Sequence, residues 1–108
     1  MRGGAHKLVP PDWLNNEQRA IFNYVLDELT ASGILGNLDR YALTGFAVAA
    51  ERVFVIERLI NESVLKNVQN KELIAARNSY AQDFWRGVNE LSLSPQARAK
   101  IGALNFEN

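Results

Sequence analysis

The chain has 108 residues, 47% of them hydrophobic and 22% charged, a length and composition that suit one domain around a single modest core. Its 12 Lys and Arg balance 12 Asp and Glu, so no global basic excess draws it onto nucleic acid or an anionic membrane, and such binding must come from a local patch or from several copies acting together. Cys is absent and His6 is the one histidine, which excludes a disulfide scaffold, a thiolate metal site, a Cys nucleophile and a multi-His metal centre.

Residues 1–11 read as a flexible arm. Gly3-Gly4 is permissive, Pro10-Pro11 blocks a helix, and no apolar run is long enough for a signal peptide. The arm carries two cations, Arg2 and Lys7, and no acidic residue; His6 has no second ligand beside it. A single helical domain is expected over residues 12–104, followed by a tail at 105–108.

The spacing predicts a first helix from about Asn16 to Ala31. Asn15 suits its N-cap, with Gln18 completing a capping box. Ile21, Phe22, Val25, Leu26 and Leu29 form one apolar stripe. Gly33 suits the left-handed stop, and Ile34 and Leu35 are expected to pack inward.

The second helix is expected to be capped by Asn37, with Asp39 in its first turn. Ala42, Phe46, Ala49, Val53, Ile56 and Ile60 recur at alternating intervals of four and three residues, a coiled-coil-like seam. Leu43, Ala47, Ala50 and Phe54 lie beside it, and Val48, Val55 and Leu59 extend the apolar surface round another side. Polar residues are confined to a narrow line of Arg40, Thr44, Glu51, Arg58 and Glu62. A helix this apolar around its circumference calls for more cover than a small chain supplies, and self-association is the expected source. Glu51, Arg52, Glu57 and Arg58 interrupt the run and exclude a membrane span. The two Glu-Arg doublets read as solvated or interface ion pairs, not as paired catalytic carboxylates.

Residues 63–70 read as a connecting loop. A third helix follows from about Lys71 to Leu91, with Leu73, Ile74, Ala81, Phe84, Trp85, Val88 and Leu91 on its apolar face. Arg86 and Glu90 are spaced for an i,i+4 pair. Helices two and three should form an antiparallel hairpin. Ser94, Pro95 and Gly102 mark the cap, first position and stop of a short last helix that presents Arg98 and Lys100. No segment alternates with period two, so the fold class is all-α. Trp13 and Trp85 suit core or intersubunit packing. No Walker loop, GxGxxG, HExxH or GxSxG is present, and no cofactor or metal is expected.

Several segments resemble the small terminase subunit of tailed bacteriophages, in its short all-helical branch. They are Pro11-Asp12-Trp13-Leu14 leading into a helix, Gly33-Ile34-Leu35, Asp39 opening the long helix, and above all the closing run Leu91-Ser92-Leu93-Ser94-Pro95-Gln96-Ala97-Arg98-Ala99-Lys100-Ile101. The likeness covers roughly residues 11–104. It departs from the family pattern before the third helix, where Asn70-Lys71 stands in place of an Asn-Pro. The resemblance implies a non-catalytic DNA-packaging factor of the host cytoplasm. Such a factor assembles into a homo-oligomeric ring, recognises double-stranded viral DNA and presents it to the large subunit, which holds the ATPase and nuclease. On this reading the DNA-contact candidates are Arg98, Lys100, Arg2 and Lys7. The oligomerisation candidates are Phe46, Ala49, Val53, Phe54, Ile56, Ile60, Phe84 and Trp85. The alternative is a helical protein–protein adaptor that never touches nucleic acid.

Overall fold

The computed structural model describes residues 8–33, 39–65 and 70–106. Among them are four helices and no strand: α1 (Asn16–Ser32), α2 (Arg40–Leu65), α3 (Lys71–Glu90) and α4 (Pro95–Phe106). The all-α expectation holds.

Local chemistry sets most of the helix ends. The Asn15 side chain accepts from the Gln18 amide at 2.7 Å while Gln18 Oε1 accepts from the Asn15 amide at 3.0 Å, the reciprocal capping box. Gly33 closes α1 at φ 77°, where a Cβ would be strained. At α2 the cap is Asp39, whose Oδ1 accepts from the Ala42 amide at 2.6 Å; Asn37, expected in that role, lies outside the described residues, as do Ile34 and Leu35. Asn70 caps α3 and Ser94 caps α4 through their side-chain oxygens.

The end of α3 carries no glycine, and Ser92 takes the left-handed position instead, at φ 54°. The Leu93 amide reaches back to the Val88 carbonyl at 3.0 Å and the Ser92 amide to Asn89 at 3.2 Å. Leu93 and Val88 are both buried. This Schellman turn, closed by an apolar contact, directs the chain into α4.

Three boundaries differ from the sequence-based expectation. α2 continues through Leu65, because Ser63 and Val64 carry no helix-breaking chemistry. α4 runs through Gly102 to Phe106. Gly102 lies inside this helix beside the Phe54 ring, which a Cβ would meet at an ordinary contact distance of 3.4 Å, so it is not a stop. Residues 8–11, expected within the flexible arm, meet the helices: Leu8 is half-buried against the core, and Val9 accepts from Arg40 Nε at 2.7 Å.

α2 is the central strut, packed against α1, α3 and α4, while α4 also meets α1. The core gathers the α1 stripe, Leu43, Phe46, Ala47 and Ala50 of α2, Phe84 and Val88 of α3, and Leu93, Ala97 and Ile101 around α4. Phe84 is its aromatic hinge, stacked on Phe46 at 5.5 Å and edge-on to Phe54 at 6.0 Å. The α2–α3 approach is close enough that a Cβ on Gly87 would overlap the Phe46 ring.

Most of the α2 seam is therefore covered within one chain. From Glu57 onward in α2, and before Phe84 in α3, no described residue is buried. The hairpin projects beyond the four-helix part as an arm with Leu59, Val64 and Ile74 exposed, giving an elongated molecule of 56 × 25 × 23 Å.

Candidate nucleic-acid interface and assembly faces

Successive residues of an α-helix step round by about 100°, so Arg98 and Lys100 diverge by about 160° and do not form one patch. Between them on the inner side lie Ala97 and Ile101, both buried. Lys100 is exposed. Arg98 is half-buried: its guanidinium carbon sits 5.4 Å from the centre of the Trp85 ring, within cation–π range. Its Nε is buried with no hydrogen-bond partner among the described residues. Trp85 in turn meets Phe84 edge-on at 5.3 Å. Arg2 and Lys7 lie outside the described residues.

Of the assembly candidates, Phe46, Ala49, Ile56 and Phe84 are buried in the single chain, and Val53, Phe54 and Ile60 are half-buried. Trp85 alone of the group stays exposed, at 49%. It borders a shallow pocket of about 420 Å³ between α2, α3 and α4, lined by Val53, Phe54, Pro95, Arg98 and Ala99 among others.

The larger opening was not foreseen from the sequence. A cleft of about 920 Å³ lies between the approach to α1, the outer face of α2 and α3. Trp13 (70% exposed) and Tyr41 (90%) stand at it with Tyr80, and Gly45 and Val48 also line it. Its charged groups are Asp12, Asp83 and Arg40. The exposed Asp83 pairs with Arg86 at 3.4 Å, so Arg86 turns to i−3 and not to Glu90 as its spacing suggested. The signal available in the sequence was Tyr41, the one aromatic of α2 outside both apolar stripes.

The expected polar line of α2 divides. Thr44 and Glu51 are buried. Glu51 accepts from Gln18 Nε2 at 3.0 Å and pairs with Arg52 at 3.3 Å, tying the start of α1 to the middle of α2. Glu57 pairs with Arg77 across the hairpin. Among the described residues no three metal-ligating side chains converge.

The match to known families decides what this scaffold is. Residues 19–108 fit the model described as phage terminase, small subunit. The chain belongs to that family. No curated protein and no solved structure matches it. As a terminase small subunit it has a role in phage genome packaging. In this small subunit the match takes in all four helices except the first turn of α1, and it includes the Trp85, Arg98 and Lys100 region as well as most of the cleft. Among the described residues no helix is long and apolar enough to cross a membrane.

Proposed function

We propose that this small subunit is the non-catalytic DNA-recognition component of the packaging motor. It works as a homo-oligomer, a ring in the simplest closed form, in the cytoplasm of the infected host. There it binds double-stranded viral DNA and hands it to the large ATPase and nuclease subunit. The family match over residues 19–108 carries this reading. The distribution of charge supports it: residues 91–106 contain Arg98 and Lys100 and no Asp or Glu, so a neutral chain still repeats a basic element once per copy.

Within that element Lys100 makes the phosphate contact, together with Arg2 and Lys7 of the arm. Arg98 is held against Trp85 and contributes less. Neutralising a phosphate releases counterions, so each contact adds about one to the slope of log affinity against log salt. Lys100→Ala should weaken binding to duplex DNA and lower that slope by about one per contacting subunit, with Arg98→Ala having the smaller effect on the slope. An unchanged slope in Lys100→Ala removes α4 from the interface. No salt-sensitive DNA affinity in the assembled wild type favours the adaptor reading, with which the neutral charge balance also agrees.

A further inference from the structure

Arg98 carries a charge that no oxygen among the described residues answers. Arg19 and Arg40 donate to backbone carbonyls, and Arg52, Arg77 and Arg86 pair with carboxylates. Arg98 makes no such bond: its Nε is buried without a partner, and its guanidinium rests on the Trp85 ring, 5.4 Å from the centre. A guanidinium has five N–H donors and no acceptor, so this one keeps its capacity for an anionic oxygen. It also lines the pocket between α2, α3 and α4, whose other walls are apolar or aromatic, from Val53 and Phe54 on α2 to Pro95 and Ala99 on α4. We infer that this pocket docks a peptide segment of a partner protein in which a carboxylate side chain stands beside a large apolar one. The apolar group covers Phe54 and Trp85, and the carboxylate pairs with Arg98. This goes beyond the proposed DNA contact, which runs through Lys100 on another side of α4.

Charge, wall chemistry and size select that occupant. Among the described residues lining the pocket, Arg98 is the one ionisable group, and α4 holds no Asp or Glu to repel an incoming carboxylate. A nucleic-acid strand carries a phosphate on every nucleotide and is held by a row of cations. One guanidinium matches one carboxylate, in the forked geometry that arginine offers. The walls point the same way. A duplex presents a hydrated backbone, and reaching these apolar walls would require extruding a base at the expense of its stacking; a peptide side chain reaches them directly. A volume of about 420 Å³ in a shallow form accepts a pair of side chains and leaves the rest of the peptide outside. Trp85, 49% exposed, and Arg98 are also the residue types that most often anchor protein–protein contacts.

The probes are two short peptides with blocked ends, identical except that Phe is followed by Glu in one and by Gln in the other. Nitrogen-edited NMR on the full chain follows the indole N–H signals of Trp85 and Trp13 and the Nε–H of Arg98, with Trp13→Phe assigning the indoles. The Glu peptide should shift the Trp85 and Arg98 signals and leave Trp13 in place. Its affinity should exceed that of the Gln peptide about tenfold. Arg98→Gln should remove that preference, and Arg98→Lys, which keeps the charge, should retain part of it. The two-peptide comparison on the wild type needs no variant, so it stands even where a substitution unfolds α4. Equal affinity for the two peptides overturns the pairing with Arg98, and no shift at Trp85 overturns the site. A single-stranded or duplex oligonucleotide that moves the Trp85 and Arg98 signals further than the Glu peptide gives the pocket to nucleic acid and overturns the inference as well. The salt slope of Lys100→Ala is a separate measurement, so the peptide site and the DNA reading fail independently.

Discussion

Gly87 and Gly45 are both helix-interior glycines with opposite surroundings: nothing lies within 4 Å of where a Cβ on Gly45 would sit. Gly87 is required inside the chain: the Phe46 ring occupies the space a Cβ would need, and it is held there by stacking on Phe84. Gly87→Ala gains about 1 kcal/mol of helix propensity but forces the ring aside, at about 1–3 kcal/mol for overpacking. The expected balance is a loss of about 1 kcal/mol, visible as a lower midpoint in urea with an unchanged slope. A higher midpoint would mean that α2 and α3 have slack at this level. The difference is not visible in sequence, where a helical glycine reads simply as a weak point; what sets Gly87 apart is Phe46, and that neighbour belongs to another helix.

At the level of elements, the sequence was most legible where the information is local. The Asn15–Gln18 capping box, Gly33 as a stop, Ser94 as a cap and the apolar stripe of α1 all depend on residues within a few positions of one another. They stand in the structure as read. The errors came from contacts between elements. Gly102 read as a terminator because nothing local says that Phe54 packs against it. Arg98 read as a presented cation like Lys100 because nothing local says that Trp85 of α3 lies against its guanidinium. Gln18 was seen as a capping residue, but its amide also donates to the buried carboxylate of Glu51, 33 positions away. That second duty makes it expensive to replace. Gln18→Ala removes one half of the cap and a charge-assisted bond to a buried group, and it should cost about 2–3 kcal/mol. Gln18→Ala in a Glu51→Leu background should cost distinctly less, since no carboxylate is then left behind. Equal costs in the two backgrounds, measured by denaturant unfolding, would mean that the bond contributes nothing.

Across the whole molecule, stability is concentrated at one end. The four-helix part holds nearly all the buried residues, while the projecting end of the α2–α3 hairpin is two helices without a buried side chain among the described residues, bridged by the Glu57–Arg77 pair. Amide exchange should therefore be fast over residues 59–65 and 71–76 and slow over residues 43–50, with the end of the hairpin opening well below the free energy of global unfolding. Uniform protection along α2 would show that the hairpin end is not the weak part. The high apolar content of α2, read in sequence as a need for partner chains, was largely met by α1, α3 and α4. What stays in water are the two tryptophans of the chain, Trp13 at the cleft and Trp85 at the smaller pocket. The intrinsic fluorescence of the free chain should therefore be red-shifted and open to a dissolved quencher, and anything that covers either opening should shift the emission to the blue and shield one of the two indoles.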